Sequence, residues 1–209
     1  ALRTRWKKSR QPQKKLQPLR IACVVNERGT APVYSAQRLI GLPVIIESTG
    51  HRAGKVLDLW FDEHWLLRGL LLKARRWWFK RYYDAALWED VTACGSDAIL
   101  IPDKDAVKRF EASDIGRTFH TGRIRLKDLP VITDEGRQLG RVSDVYFQGF
   151  QGTPITGFEL TDGFVSDLIE GRKRLKIPAD PELLKLGENA ILVPARCEHD
   201  LEAFVTESG

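Results

Sequence analysis

The chain has no methionine, and only three cysteines and four histidines in 209 residues. Cys23, Cys94 and Cys197 are odd in number and far apart. They form no disulfide framework, and sparse unpaired thiols fit a reducing cytoplasm. The lack of any methionine implies that the sequence does not start at its own initiator. That residue was removed, or the chain is a fragment or an over-extended reading. No apolar run approaches the roughly 20 residues that a spanning helix needs. Leu70-Leu71-Leu72 is followed at once by Lys73. No charged, apolar and cleavage-site segments follow one another, so no secretory signal is expected. His51, His64, His120 and His199 are scattered, and Cys197-Glu198-His199 has no second ligand pair. That is far short of a zinc signature, and no metal is expected. A nucleophile elbow, phosphate loop, dinucleotide fingerprint and His-Glu-x-x-His pair are all missing. The chain is therefore read as non-enzymatic, with no catalytic residue, cofactor or small-molecule substrate.

What is present begins with an uneven charge. The net charge is +5. Residues 1–38 hold ten Lys/Arg and one acid, Glu27, so they carry nine net positive charges. Residues 39–209 hold 23 Lys/Arg and 27 Asp/Glu, a net of −4. The body is mildly acidic, and the excess positive charge belongs to the front segment. Hydrophobic residues make up 43%, which supports a packed core.

The body repeats itself. Leu42-Pro43-Val44 recurs as Leu129-Pro130-Val131, and Gly50 as Gly136. Gly54-Lys55-Val56-Leu57-Asp58 recurs as Gly140-Arg141-Val142-Ser143-Asp144. Arg68-Gly69-Leu70-Leu71-Leu72 matches Thr156-Gly157-Phe158-Glu159-Leu160, and Ala98 to Pro102 matches Ala190 to Pro194. The order is kept, and the spacing drifts only by small insertions of the kind hairpin loops absorb.

Each block reads as strand punctuation. Pro43 is tolerated at a strand start or on an edge. Gly50 and Gly136 supply the positive φ of tight turns. Val56 and Val142 alternate with polar or small neighbours, as in a strand with one buried face. Five or six short strands per copy read as a small barrel or sandwich. Two separate barrels are more natural than one fused sheet. Between the copies, Asp103 or Asp105 can cap a short helix through Ala106-Val107-Lys108-Arg109-Phe110.

These blocks resemble the PRC-barrel family. They are Leu39 to Val44, Gly50 to Asp58, Gly69 and Gly95 to Ile101 in the first copy. In the second they are Leu129 to Val131, Gly136 to Asp144, Gly157 and Gly187 to Val193, with Lys127-Asp128 standing where the first copy has Ile40-Gly41. The resemblance implies a mostly β fold: two small six-stranded PRC-type β-barrels in tandem with a short helical linker. The barrels fall at 37–102 and 124–196, after a basic tail at 1–36. The linker occupies 103–123, and a C-terminal tail occupies 197–209. In this family the same barrel occurs in the cytoplasmic part of the photosynthetic reaction centre H subunit. It also forms the C-terminal half of the ribosome maturation factor RimM and stand-alone bacterial proteins. The family is known for binding proteins, so the resemblance implies an adaptor or scaffold, cytoplasmic or peripheral to a membrane.

Three groups of residues stand out. Lys73 to Arg81 interleaves Arg75, Arg76, Lys80 and Arg81 with Trp77 and Trp78, residue types favoured at binding hot spots. Its counterpart in the second copy is read as Arg172, Lys173 and Arg174. The competing reading is a solvated hairpin tip whose aromatics cover the barrel end. In the tail, Arg3, Arg5, Lys7, Lys8, Arg10, Lys14 and Lys15 suit RNA, DNA or an anionic membrane, or belong to an extension without function. The third group is structural: Gly50, Gly54, Asp58, Gly69, Gly136, Gly140, Asp144 and Gly157. The repeated Asp58 and Asp144 are read as ligands of backbone amides at a strand end or turn.

Overall fold

The structure is a computed structural model that describes residues 33–73, 82–148, 155–163, 172–177 and 183–204. In chain order, β1 is Val33–Ser35, α1 Ala36–Leu39, β2 Pro43–Ile46, β3 Arg52–Phe61, β4 Leu67–Leu72 and β5 Tyr82–Leu87. Next come β6 Ala93–Cys94, β7 Ile99–Ile101, β8 Val107–Glu111, β9 Arg117–Thr118 and β10 Ile124–Arg125. The second copy contains β11 Pro130–Thr133, β12 Gln138–Gln148, β13 Ile155–Thr161, β14 Arg172–Lys176, β15 Lys185–Leu186, β16 Ile191–Val193 and β17 Leu201–Phe204.

The fold is mostly β and is built from two sheets of the same plan. The first runs β6-β7-β2-β3-β4-β5-β8, and the second β15-β16-β11-β12-β13-β14-β17. Position by position the strands correspond, including the parallel pairs of β2 with β7 and β11 with β16. The bulges correspond too. β3 departs from regular pairing with β4 between Val56 and Asp58, and β12 departs from β13 between Val142 and Asp144.

The sequence signals have identifiable causes. Pro43 and Pro130 open their strands, where a missing N–H costs least. Gly50 and Gly136 have φ of 69° and 87°. Gly69 lies so close to β5 that a Cβ would meet the Ala86 carbonyl oxygen at 2.6 Å. Gly157 stands in the same relation to Leu175, at 2.9 Å. Asp128 takes the left-handed backbone of its counterpart Gly41, with φ of 68° against 88°. Aspartate is one of the few side chains that tolerates this region.

The linker differs from expectation. Asp103 does cap a turn, its carboxylate accepting from the Asp105 and Ala106 amides. That turn is a single 3-10 turn, Lys104–Ala106, and Val107–Glu111 is strand β8 instead of helix. β8 pairs with β5 from Tyr82 to Ala86. The backbone groups on that edge of β5 need partners, and this demand overrides the weak helix propensity of the segment. With β8 beside β5 and β17 beside β14, each sheet path holds seven strands.

The two sheets are not independent bodies. β1 precedes the first repeat but pairs antiparallel with β12 of the second, Tyr34 opposite Phe147 and Ser35 opposite Tyr146. β9 precedes the second repeat but pairs antiparallel with β3 of the first, Thr118 opposite Trp60 and Arg117 opposite Phe61. Each repeat lends its lead-in to the other. One cluster of buried side chains runs through both, including Val44, Phe61, Leu70 and Ile99 with Val131, Phe147, Phe158 and Ile191. Tyr34 joins them directly, lying 6.2 Å from Trp88 and 5.9 Å from Phe147 between ring centres. Two separate barrels would each need their own core; here the apolar faces of both sheets are buried together.

Candidate functional site

The bulges determine where the repeated aspartates point. Leu57 and Ser143 are the extra residues, and a bulge re-aims the side chain beside it. Asp58 and Asp144 are turned inward and buried. Each receives the lead-in of the other repeat. Asp58 accepts from the His120 amide at 2.9 Å, the Thr121 hydroxyl at 2.7 Å and its neighbour's Leu59 amide at 2.8 Å. The Thr121 amide also donates to Asp58. Asp144 accepts from the Ser35 hydroxyl at 2.6 Å, the Gln37 amide at 3.1 Å and the Val145 amide at 2.8 Å. Both bind backbone amides, and most of their donors come from across the repeat boundary.

Burial pushes the Asp144 carboxyl above its ordinary range, only partly opposed by Ser35, Gln37 and Val145, with Glu159 nearby adding to the rise. A carboxyl with a higher pKa in the folded state takes up a proton on folding. Its contribution to stability therefore grows as pH falls through the raised value toward the ordinary carboxylate range. Asp144→Asn removes this titration and keeps an acceptor for the two amides. The stability difference between wild type and Asp144→Asn is expected to shift in favour of wild type as pH is lowered from neutral. Urea midpoints of both proteins at matched pH check this; a difference that stays flat with pH contradicts it.

The outer faces of the two sheets are the second feature. In the first repeat this face carries Leu57, Trp60, Leu71, Tyr83 and Ala85, covered by Phe110 and Ile115 from β8 and the segment after it. Trp60 meets Phe110 edge-on at 5.0 Å. The registers place Ser143, Tyr146, Glu159, Arg172 and Arg174 at the equivalent positions of the second repeat. Glu159 is buried there. Its carboxylate accepts from the Ser143 hydroxyl at 3.0 Å, from Arg172 at 2.6 Å and from the Tyr146 hydroxyl. Burial and the Glu159 carboxylate push the Tyr146 phenol upward. The Arg174 guanidinium lies 4.4 Å over the Tyr146 ring. Lys173, on the other side of β14, pairs with Asp162 at 2.7 Å.

This arrangement corrects one sequence argument. Arg172, Lys173 and Arg174 belong to strand β14, equivalent to Tyr83, Asp84 and Ala85. They are not the counterpart of the Lys73–Arg81 stretch, which connects β4 to β5. Arg75, Arg76, Trp77, Trp78, Lys80 and Arg81 lie outside the described residues, as do Arg3, Arg5, Lys7, Lys8, Arg10, Lys14 and Lys15. Among the described residues, no three His, Cys, Asp or Glu side chains converge on a metal-sized site. Glu159 was within reach of sequence reasoning: it is a lone acid between Phe158 and Leu160, aligned with Leu71. The exchange of lead-ins carried no such signal.

The repeat now has a family. The model of the PRC-barrel domain matches residues 32–114 and again 124–199. The chain belongs to the PRC-barrel family. It is also similar to the uncharacterized protein YrrD of Bacillus subtilis (strain 168), 29% identical over 137 residues, which cover 65% of this chain and 74% of that protein. The first PRC-barrel match spans β2 to β8 of the first sheet, and the second spans β11 to β16 of the second, with β17 just past its end. β9 falls between the matches, and β1, at the head of the first, is built into the second sheet. No helix among the described residues is long and apolar enough to cross a membrane.

Proposed function

We propose that this PRC-barrel protein is a non-enzymatic adaptor or scaffold whose second repeat binds another protein through its outer face. In this reading each sheet curls into a PRC-type barrel. The Arg/Trp stretch at Arg75, Arg76, Trp77, Trp78, Lys80 and Arg81 supplies further anchors, and the assembly is cytoplasmic or at a membrane surface. One observation carries the proposal. Register-equivalent faces differ in kind: the first is apolar and sealed by the chain's own Phe110 and Ile115, the second is a charged and aromatic set. Arginine and tyrosine are enriched where partners bind, because they combine apolar area with oriented polar groups. The test is quantitative affinity capture from native cells, using wild type, Arg172→Ala/Arg174→Ala and Trp77→Ala/Trp78→Ala. A partner retained by wild type is expected to fall by about tenfold with either variant, the effect of losing roughly 1.4 kcal/mol. Unchanged partner sets in both variants would sink the proposal.

An RNA- or ribosome-associated role is the competing reading, and the nine net positive charges of residues 1–38 favour it. RNA affinity that falls steeply with salt and vanishes on deletion of residues 1–20 is the result that would replace the adaptor reading.

A further inference from the structure

We infer that the first repeat holds a binding site for a phosphate monoester with an apolar body, in the cleft where β3 begins and β4 ends. The site lies apart from the outer face of the second repeat and does not depend on the adaptor reading.

The cleft encloses about 770 Å³, a volume in the range of small-ligand pockets. Ala53, Gly54, Leu72 and Val107 give it apolar surface, and Arg52, Lys55 and Lys73 line it with positive charge. All three cations are exposed and meet no carboxylate among the described residues. Lys55 and Lys73 stand directly opposite each other. The Lys73 amide donates to the Lys55 carbonyl at 2.8 Å, one step beyond the pair of Val56 with Leu72. Like charges opposed across two strands repel, and an anion between them replaces repulsion by attraction. Asp84 also lines the cleft, but Arg109 engages its carboxylate at 3.1 Å.

The second repeat shows the same place closed. The registers align Ala53 with Leu139, Gly54 with Gly140, Lys55 with Arg141, Lys73 with Thr161 and Asp84 with Lys173. Leu139 is buried in the core, where the smaller Ala53 leaves room. Asp162 lies over Gly140, where a Cβ would meet its carboxylate at 3.0 Å, and pairs with Lys173 at 2.7 Å. Arg141 donates to the Asp128 carbonyl at 3.0 Å. Over Gly54 the atoms nearest to a Cβ all belong to Leu72, at 3.4 Å and beyond. In sequence, Ala74 stands at the Asp162 position. The first repeat thus has added space and an added cation, and it lacks the acid that fills its twin. Several cations suit a dianion better than a single carboxylate, and the compact lysine charge binds phosphate well.

The test titrates the full chain, labelled with nitrogen-15, with naphthyl phosphate, naphthoate and inorganic phosphate. Naphthyl phosphate is expected to shift the Gly54, Lys55 and Lys73 amide signals saturably, and to bind about tenfold or more tighter than either other probe. Lys55→Ala/Lys73→Ala removes charge, and Ala53→Leu refills the space as in the second repeat. Each should weaken binding by about tenfold or more, with the urea midpoint showing that the variant is folded. No saturable shift, equal affinity for naphthoate, or binding unchanged in both variants would overturn the proposal. Co-sedimentation with phosphatidylcholine vesicles, with and without phosphatidic acid, separates the two sources of such a group. Retention that needs phosphatidic acid and yields to naphthyl phosphate assigns the cleft to a lipid headgroup. No retention, with naphthyl phosphate still bound, assigns it to a free phosphate ester.

Discussion

Trp65→Ala is expected to lower stability by about 3–5 kcal/mol, the usual range for truncating a buried aromatic. Trp65 lies in the turn between β3 and β4 of the first repeat, yet its ring is buried edge-on against Phe158 of the second at 5.8 Å. Its carbonyl accepts from the Ile155 amide at 2.9 Å, and Arg117 of β9 sits 5.1 Å over the ring. One side chain therefore contacts both sheets and the borrowed strand. The backbone there is left-handed, with φ of 63°, an unfavourable region for a bulky residue. Packing across the repeat boundary must outweigh that strain. Trp65→Gly, which removes the strain along with the ring, should cost up to about 1 kcal/mol less than Trp65→Ala. Urea unfolding of the three proteins measures both quantities. A loss below 1 kcal/mol for Trp65→Ala, or a glycine variant less stable than the alanine one, would contradict the assignment.

Asp58→Ala should cost about 3–4 kcal/mol, because one buried and three part-buried donors lose their acceptor at about 1 kcal/mol each. Those donors are the Leu59, His120 and Thr121 amides and the Thr121 hydroxyl. Asp58→Asn should fall in between, since its NH2 group would face a donor. The loss has a spatial signature. The amides of His120 and Thr121, in the segment leading to the second repeat, should exchange with solvent faster although the altered residue lies in the first. Amide exchange confined to the neighbourhood of residue 58 would argue against the exchanged lead-in as the element that Asp58 holds.

Much of the framework was readable from local signals. Pro43 and Pro130 at strand starts, Gly50 and Gly136 in turns, and the close approach required at Gly69 and Gly157 each act within a few residues. Duplication made these signals readable twice. What sequence reasoning missed depends on partners distant in the chain. Ser35 meets Asp144 across 109 positions, and no period or composition encodes that pairing. The same holds for β8, where a capping aspartate and a run of moderate helix formers suggested a helix. The unsatisfied edge of β5 decided otherwise. The charged face was half legible: the alignment exposed Glu159 opposite Leu71. Only the register showed that Arg172 and Arg174 share its surface, and that the apparent match with the Arg/Trp stretch was a shift along the chain.

The crossed lead-ins make the molecule a heterodimer written on one polypeptide. Damage in it travels to the opposite half: a lesion near residue 33 strikes the sheet that begins near residue 130, and one near residue 118 strikes the sheet that begins near residue 43. Neither half can be discarded, so neither can drift in its core. Their outsides are under no such constraint. One half can remain closed and carry mechanical integrity for the pair, while its twin, relieved of that duty, specialises at its surface.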